Sequence, residues 1–401
     1  MRLQIPDPVI SNEPIGDGMS LKKKFLKTLK NCYISVCRAT RGLKAKSVLF
    51  TSFDGRSYSD NPRAISEKLH EMYPDTEITW LLRKKSSIVP SYVKVVDQKS
   101  MLRYYRAIVT ARVVVTNAAF PDVPKGRGQM FIQTWHGDRA FKKIQYDNPY
   151  IPKDYFRAES QDGFCDLCVA GSDYGERKFR SAFRYKGEIL KAGTPRDDRL
   201  VEPDPGEIMR IKASLGIDRA TKILLYAPTI RKEHLDGIEL RDIDLERTVR
   251  KLEEKYACRW QCFVRAHPGN RYVGGIAGKE GIRDVSDYED MADLLLISDM
   301  LITDYSSTAG DYALLNRPLV LFQSDREEYM RNERTFYFDP LSSPYYIAES
   351  QEELETVIAG LSEQSVRENC RAILYFYGCC ESGNASEAVA GRIHRWISSG
   401  S

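Results

Sequence analysis

The stretch SDMLITDYSSTAGDYALLNRPLVLF, residues 298–322, contains one complete strand–helix–strand unit. The apolar run MLITDY (300–305) predicts a strand, residues 306–315 predict a helix, and PLVLFQ (318–323) predicts the next strand. Short apolar strands that alternate with single helices are typical of a parallel sheet covered by helices on both faces. The stretch therefore indicates an α/β fold.

The same alternation extends in both directions along the chain. KILLYAP (222–228) and QCFVRAHP (261–268) predict further strands of this series, and SVLFTSF (47–53) and VVVTN (113–117) belong to an earlier one. A break rich in Pro and Asp, residues 194–206, separates the two series. We therefore predict two doubly wound, Rossmann-type domains with a cleft between them, where ligands bind at the carboxyl ends of strands. The predicted divisions are a leader with a basic segment (1–46), an N-terminal acceptor-side domain (47–193), a C-terminal ligand-binding domain (194–375) and a last helix that packs back on the N-terminal domain (376–401).

The N-terminal segment differs in composition from both domains. Prolines and glycines predict a flexible leader over residues 1–20, whereas residues 21–37 have the periodicity of a helix with one broad apolar face. Such a helix lies on an anionic membrane surface, or it packs on its own domain and keeps a solvated lysine face. The sequence leaves both alternatives open. The lysines around the apolar face are Lys22, Lys23, Lys24, Lys27 and Lys30.

The overall composition is that of a soluble globular protein, with 401 residues, 42% of them hydrophobic and 29% charged. No apolar run reaches the roughly 18–20 residues of a membrane span, and the start lacks the apolar core of a signal peptide. We therefore predict a cytoplasmic protein, peripheral on the inner face of the membrane. The net charge is only +4, and we expect no nucleic-acid partner. The nine scattered cysteines favour buried thiols over a disulfide framework, and we predict no metal site.

Hydroxyl side chains open the helix that follows the strand at 300–305. Asp304 ends the strand, and Ser306, Ser307 and Thr308 follow it. One hydroxyl suffices to cap a helix, whereas three hydroxyls with free amides at the positive end of a helix suit a pyrophosphate. A substrate-binding site and simple capping are both compatible with this pattern.

Two further strand ends carry basic side chains. Arg265 and His267 alternate along QCFVRAHP, so they point the same way at its C-terminal tip, where they suit the charge of a departing phosphate. A structural role for the histidine is the alternative. Arg231 follows the strand KILLYAP and suits a bidentate phosphate contact.

The segment QTWHGDRAFKK (133–143) places a histidine directly after a predicted strand. Neutral imidazole has a pKa near 6.5, which suits it to accept a proton from a hydroxyl at neutral pH. Gly137, beside His136, allows a substrate to approach the backbone. The basic residues that follow predict contacts with an anionic acceptor or lipid headgroup, or a solvated helix face. These residues are Arg139, Lys142 and Lys143.

Taken together, these motifs resemble those of the CDP-glycerol glycerophosphotransferase family, the teichoic acid primases and polymerases and their capsule-polymerase relatives. The resemblance extends from about Ser47 to Ile397. Asp138 departs from the family, in which many members have a small hydroxyl residue after Trp-His-Gly. The motifs that carry the resemblance are QTWHGDRAFKKI (133–144), AGTPRDDRL (192–200), YAPTIR (226–231), VRAHP (264–268), LITDYSSTAGDYALLNRPLVLF (301–322) and YFYGCCESGNASEAV (375–389).

The resemblance implies a GT-B-like fold with the active site between two domains. It implies transfer of glycerol phosphate, or another alditol phosphate, from CDP-glycerol or another CDP-alditol to a hydroxyl of an undecaprenyl-pyrophosphate-linked saccharide, with release of CMP and without a cofactor. His136 corresponds to the general base and His267 to the donor-side histidine, while Asp304, Ser306 and Ser307 match the nucleotide–pyrophosphate site. A basic N-terminal surface is expected to attach the enzyme to the membrane.

Two other functions remain open from the sequence. One is a GT-B glycosyltransferase that uses a nucleotide sugar, because such an enzyme shares the fold and the pyrophosphate site. The other is a membrane-bound scaffold without catalysis. The sequence does not decide between a monomer and a homo-oligomer.

Overall fold

The computed structural model describes residues 21–84, 86, 88–150, 165–229, 231, 242–266, 276, 279–332 and 335–399. The predicted leader, residues 1–20, and the predicted catalytic residue His267 lie outside these described residues. The described chain forms two fully parallel sheets, so the prediction of two doubly wound α/β domains is confirmed.

The first sheet has seven strands in the order β3-β2-β1-β4-β5-β6-β7. Its central strands are apolar and buried because helices cover both faces. Its strands are β1 Lys44–Thr51, β2 Glu77–Leu82, β3 Lys94–Asp97, β4 Ala111–Thr116, β5 Met130–Gln133, β6 Leu167–Ala170 and β7 Glu188–Lys191, and its helices are α1 Leu21–Arg41, α2 Asp60–Met72, α3 Met101–Thr110 and α4 Asp173–Ser181.

The second sheet has six strands in the order β10-β9-β8-β11-β12-β13. Its strands are β8 Lys222–Ala227, β9 Trp260–Val264, β10 Ile282–Asp284, β11 Met300–Thr303, β12 Leu319–Phe322 and β13 Tyr346–Ala348. The remaining helices are α5 Asp198–Val201, α6 Pro205–Ser214, α7 Leu245–Tyr256, α8 Met291–Ile297, α9 Thr308–Tyr312, α10 Arg326–Asn332, α11 Gln351–Gly360, α12 Glu363–Tyr377 and α13 Ala385–Ser398.

The strand order of each sheet reverses at a switch point, between β1 and β4 in the first domain and between β8 and β11 in the second. Ligands of doubly wound sheets bind outside the carboxyl ends of strands at such points. The segments that begin at these points are 52–60 after β1, Asn117 after β4 and 304–308 after β11, and the segment 134–139 begins at the carboxyl end of β5, the neighbour of β4. The predicted site residues therefore lie where this architecture places ligands.

The last helix, α13, crosses back to the first domain and packs against α2 and β1. Four of its apolar side chains are buried in the core of the first sheet. Because the covalent chain crosses between the domains twice, the N-terminal domain is completed by residues from the C-terminal end. The four side chains are Val389, Ala390, Ile393 and Ile397.

The N-terminal helix α1 packs on the first domain and also exposes apolar side chains. Ile34 and Cys37 are buried against α3 and the sheet, whereas Phe25, Leu26 and Leu29 remain exposed. Of the predicted membrane-facing lysines, Lys30 pairs with Asp122 at 2.8 Å and its side chain is only 13% exposed, so that assignment is wrong. Lys27 is exposed, and the side chains of Lys22, Lys23 and Lys24 lie outside the described part.

Within the described residues, no helix is long and apolar enough to span a membrane.

Candidate active site

His136 is held at the carboxyl end of β5 by a backbone carbonyl. Its Nδ1 lies 2.6 Å from the carbonyl oxygen of Asn117. Because a carbonyl oxygen only accepts hydrogen bonds, Nδ1 carries the proton and Nε2 is the basic nitrogen of the neutral ring. The ring stacks on Trp135, with centroids 4.3 Å apart, and meets the edge of Phe53 at 5.2 Å. The histidine thus has the tautomer and fixed orientation that a general base needs.

The backbone before and after His136 is also constrained. Trp135 has a positive φ of 51°, an uncommon conformation for a bulky residue. The Lys178 ammonium group of α4 donates to the carbonyls of Gly137, at 2.7 Å, and Asp138. Burial lowers the pKa of Lys178 to about 7. Gly137 is buried, and a Cβ there would lie 3.3 Å from the indole nitrogen of Trp135, so the glycine permits packing on Trp135.

Asp138 holds the start of α4 against this loop. Its carboxylate accepts hydrogen bonds from the backbone N–H of Gly171, at 3.0 Å, and from the hydroxyl of Ser172. Ser172 in turn caps α4. Asp138, the residue that departs from the family pattern, is therefore buried and connects the loop after β5 to the start of α4.

The prediction that Arg139 contacts an acceptor or headgroup is wrong, because its side chain is fully buried. The guanidinium group pairs with Asp197 at 2.6 Å, Glu381 at 2.7 Å and Asp311 at 3.1 Å. Burial raises the pKa of Glu381 to about 7, although Arg139 opposes that shift. A Cβ at Gly310 would lie only 2.7 Å from the Cβ of Arg139, so a glycine allows α9 to approach this arginine. Arg139 therefore joins the two domains.

Lys142 and Lys143 lie at the contact between the domains, in irregular structure rather than on a helix face. Lys142 forms a β-bridge with Phe336, and its ammonium group lies 5.4 Å from the ring centroid of Tyr329. The backbone N–H of Lys143 donates to the carbonyl of Thr335 at 2.9 Å. Both lysines are half-buried, so an acceptor contact stays a prediction.

Asp304 is buried, and its carboxylate is occupied by protein groups. It accepts from the backbone N–H of Thr229 at 3.0 Å and from its hydroxyl at 3.1 Å, and it pairs with Arg231 at 2.8 Å. It also accepts from the backbone N–H of Tyr305. In this structure the carboxylate positions Thr229 and Arg231 after β8, and a direct contact of Asp304 with substrate stays a prediction.

The N–H donors of Arg231 are likewise occupied by protein groups, and the predicted phosphate contact stays a prediction. Its Nε and NH2 donate to Asp325 at 2.6 and 3.2 Å, and NH2 also pairs with Asp304. Its NH1 donates to the carbonyl and hydroxyl oxygens of Thr229 at 2.8 and 2.9 Å. Since arginine has five N–H donors, these contacts use all of them. A phosphate would have to displace a carboxylate.

The three hydroxyl residues after β11 divide between capping and other roles. The Ser306 hydroxyl accepts from the backbone N–H of Thr308 at 3.3 Å and donates to the Thr308 hydroxyl at 2.9 Å. The Ser307 hydroxyl takes no part in capping. All three side chains are half-buried at the carboxyl end of the strand. Ser306 thus satisfies the local backbone, and Ser307 is the hydroxyl that capping does not explain.

Arg265 directly follows β9 and carries a buried donor that lacks an acceptor among the described residues. Its NH1 nitrogen is buried without a hydrogen-bond partner, and burial lowers the pKa of the guanidinium. A buried N–H without an acceptor is costly, and an anionic ligand would satisfy it. Arg265 therefore has a binding capacity that protein contacts among the described residues do not use.

An ion-pair network connects the two domains beside His136. The guanidinium of Arg196 pairs with Asp60 at 3.3 Å and with Asp311 at 2.7 Å. Asp60 belongs to α2 of the first domain and Asp311 to α9, directly after the hydroxyl residues. Sequence reasoning missed this network because its members lie far apart in the chain, and the only signal was the position of Arg196 within AGTPRDDRL.

Among the described residues, no group of three or more His, Cys, Asp or Glu side chains could hold a metal ion. The Sγ atoms of Cys165 and Cys168 lie 3.8 Å apart, and Cys168 is buried. Cys262, in the other close pair, is buried in β9.

Comparisons with known proteins place this site in context. Residues 33–395 match the model of the CDP-Glycerol:Poly(glycerophosphate) glycerophosphotransferase family. The chain is 30% identical to a teichoic acid poly(glycerol phosphate) polymerase of Bacillus subtilis over 93% of this chain and 52% of that protein. It is also 30% identical to a teichoic acid glycerol-phosphate transferase of Staphylococcus aureus over 94% and 100%. The chain thus spans about half the length of some of the curated polymerases that it matches, and all of the transferase.

A solved structure of a histidine variant of the wall teichoic acid polymerase TagF, soaked with CDPG, has the same fold. The TM-score is 0.81 at 29% identity, over 95% of this chain and 99% of that chain. The prediction of a GT-B-like fold is confirmed.

Proposed function

Because this chain belongs to the CDP-Glycerol:Poly(glycerophosphate) glycerophosphotransferase family, we propose that it transfers glycerol phosphate from CDP-glycerol to a hydroxyl group of a membrane lipid-linked saccharide and releases CMP. The polymer that results is of the teichoic acid type. The observation that carries this proposal is His136, which the carbonyl of Asn117 holds as the Nδ1-protonated tautomer at the carboxyl end of β5, beside the switch point of the acceptor-side sheet.

In the proposed reaction, Nε2 of His136 takes the proton of the acceptor hydroxyl as that oxygen attacks the β-phosphorus of CDP-glycerol. The bond from the β-phosphorus to the bridging oxygen breaks, and CMP leaves with that oxygen and the bonding electron pair. Positioning and charge stabilisation supply most of the catalysis in phosphoryl transfer. No cofactor is required for this balance of atoms.

The donor side supplies charge and hydrogen bonds to the pyrophosphate. The unsatisfied NH1 of Arg265 supports a contact with a phosphate oxygen, and the Ser307 hydroxyl supports a second. His267, two residues after Arg265, remains the proposed donor-side histidine. Asp304 and Arg231 act indirectly, because they contact each other and hold Thr229 after β8.

The choice of glycerol rests on the named relatives. Polymerases and transferases of glycerol phosphate match at 30–31% identity over 86% or more of the chain. A ribitol-phosphate primase of Bacillus spizizenii matches at 30% over 88%. Glycerol is therefore the first donor to test and ribitol the second.

We place the enzyme at the inner membrane surface, where a lipid-linked acceptor is found. The exposed Phe25, Leu26 and Leu29 of α1, next to the exposed Lys27, support an interfacial helix. The two alternatives of the sequence analysis thus coexist in one helix, because the opposite face packs on the first domain through Ile34 and Cys37.

A CMP-release assay tests the proposal with CDP-glycerol, CDP-ribitol and UDP-sugars as donors and a synthetic lipid-linked disaccharide as acceptor. We expect CMP release that depends on acceptor and that His136→Asn abolishes, whereas His70→Asn, a histidine stacked on Tyr92 elsewhere in the first domain, stays at the wild-type rate. Release of UDP instead would assign a glycosyltransferase, and wild-type activity of His136→Asn would remove the proposed base.

A further inference from the structure

The first two residues of α2, Asp60 and Asn61, contact the two residues that adjoin His136, Asn117 and Trp135. The Asn61 side-chain Nδ2 donates to the carbonyl oxygen of Trp135 at 2.9 Å. The Asp60 Oδ1 accepts from the Asn117 side-chain Nδ2 at 2.9 Å, and the carbonyl of Asn117 holds Nδ1 of His136. Asn61 therefore holds the residue before His136, and Asp60 holds Asn117, the residue whose carbonyl selects the tautomer of His136.

Asn117 is completely buried, and every polar atom of its side chain is used. Its Oδ1 accepts from the backbone N–H of Phe53 at 2.8 Å, and its Nδ2 donates to the Ser52 hydroxyl at 3.0 Å as well as to Asp60. These contacts fix the side chain of Asn117, whose backbone carbonyl accepts from Nδ1 of His136. Asp60 and the segment after β1 therefore hold the residue that supplies the hydrogen-bond acceptor of His136.

The backbone is strained at both ends of this arrangement. Asp60 has a φ of 64° and Trp135 a φ of 51°, conformations that residues with a side chain rarely adopt. Such conformations persist only where surrounding contacts enforce them, and they concentrate at functional sites. Here Asp60 and Asn61 supply those contacts, through the hydrogen bonds to Asn117 and Trp135.

Arg196 attaches this pair of residues to the other domain. Its backbone N–H donates to Asn61 Oδ1 at 3.0 Å, and its guanidinium pairs with Asp60 at 3.3 Å. The same guanidinium donates to Asp311 of α9 at 2.7 Å. Asp311 lies three residues after Thr308, at the donor-side strand end. The orientation of His136 is thereby tied to the element that carries the donor-side hydroxyls.

We propose that Asp60 and Asn61 are positioning residues for the transfer reaction. They orient His136, favour its Nδ1-protonated tautomer and, through Arg196, fix its position relative to the donor-side domain. This inference rests on the proposed role of His136 as the base. A purely structural role in holding the domains together predicts lower stability only. A positioning role predicts a change in kcat and in the imidazole itself.

Two isosteric substitutions separate these roles. Asp60→Asn keeps an oxygen for Asn117 and tolerates the positive φ, but it removes the charge that pairs with Arg196. Asn61→Asp keeps an oxygen for the backbone N–H of Arg196, but it replaces the donor to the Trp135 carbonyl with an acceptor. The matched control is Asp147→Asn, because Asp147 also accepts an interdomain hydrogen bond, from the Tyr337 hydroxyl at 2.8 Å, without contact to this cluster.

The experiment measures kcat, the KM for CDP-glycerol, the melting temperature and the ¹⁵N spectrum of histidine-labelled enzyme, with the His136 signal assigned by its loss in His136→Asn. We expect each of the two variants to lower kcat roughly 10- to 100-fold with the KM changed less than about threefold, because a small misplacement of the base suffices. We also expect the His136 nitrogens to move away from the Nδ1-protonated pattern. Asp147→Asn keeps the wild-type kcat and spectrum.

Wild-type kcat and an unchanged His136 signal in both variants would overturn the inference while His136→Asn remained inactive. A lower melting temperature with a lower kcat but an unchanged His136 signal would also overturn it, in favour of a structural role. Activity in His136→Asn is a separate outcome, which removes the base and not only its positioning. If Asn61→Asp fails to fold, Asp60→Asn decides the question alone.

Discussion

Replacing Arg139 with methionine tests whether the buried cluster between the domains maintains the fold. Methionine fills a similar volume but removes the cation that Asp197, Glu381 and Asp311 share at 2.6, 2.7 and 3.1 Å. After the change, Asp197 and Asp311 retain Arg196, whereas Glu381 retains only the uncharged Thr194. Breaking a buried ion pair by removing one partner costs about 3–5 kcal/mol, because a buried charge is left uncompensated.

The cost depends on pH through Glu381. Its pKa is already raised to about 7 by burial and is restrained by Arg139, so loss of Arg139 raises the pKa further. A carboxyl with a raised pKa in the folded state stabilises the fold while protonated, and that stability is lost as pH rises through the folded pKa. We therefore expect Arg139→Met to lose more stability at pH 8 than at pH 6.

Urea unfolding, followed by tryptophan fluorescence at both pH values, measures the loss. A difference of 3–5 kcal/mol corresponds to a fall of roughly 10 °C in melting temperature for a domain of this size. Arg367→Met is the control, because Arg367 forms an exposed pair with Glu363 on α12, and we expect it to change stability by less than about 0.5 kcal/mol. A loss below about 1 kcal/mol for Arg139→Met at pH 8 would refute the reasoning.

Three further predictions concern the two strand ends and the N-terminal helix. Burial lowers the pKa of Lys178 to about 7, so the unfolded chain binds more protons than the folded chain between pH 7 and 10.5. We therefore expect the stability of wild type relative to Lys178→Met to rise over this range in unfolding titrations, and a constant difference would contradict this. Asp304→Asn weakens the contacts that hold Arg231 and Thr229, and we expect calorimetry to show that CDP-glycerol binds roughly tenfold more weakly. An unchanged affinity would show that Asp304 has no part in donor binding. Replacing Phe25, Leu26 and Leu29 with serine should lower the affinity for anionic vesicles, measured by co-sedimentation, by roughly tenfold or more. The control Tyr375→Ser, which changes an exposed aromatic residue elsewhere, should leave this affinity unchanged. Equal affinities of the triple variant and wild type would place α1 away from the membrane.

Much of the fold could be predicted from local patterns. The short apolar runs at 47–53, 113–117, 222–228 and 300–305 all overlap strands of parallel sheets, because burial on both faces demands continuous apolar side chains. The same logic located His136 and the hydroxyl residues, since polar residues directly after such strands lie at the ligand-binding edge. The helix after β11 was predicted over 306–315 but is α-helical only at Thr308–Tyr312, and a 3₁₀ turn follows at Ala313–Leu315.

The sequence by itself determined the α/β class, the two sheets and the positions of His136, Arg265 and Ser307 at strand ends, because these follow from periodicity within short windows. Only the tertiary structure decided what each polar side chain contacts. Arg139 resembled a surface residue beside two lysines, yet it is buried by acids that lie from 58 to 242 positions away. Partners so distant in the chain leave no local pattern, since a buried charge is stabilised by whatever the fold brings to it. For the same reason, Asp60 and Asn61 begin an ordinary amphipathic helix in the sequence, and only the packed domains bring them to Asn117 and Trp135, the two residues that adjoin His136.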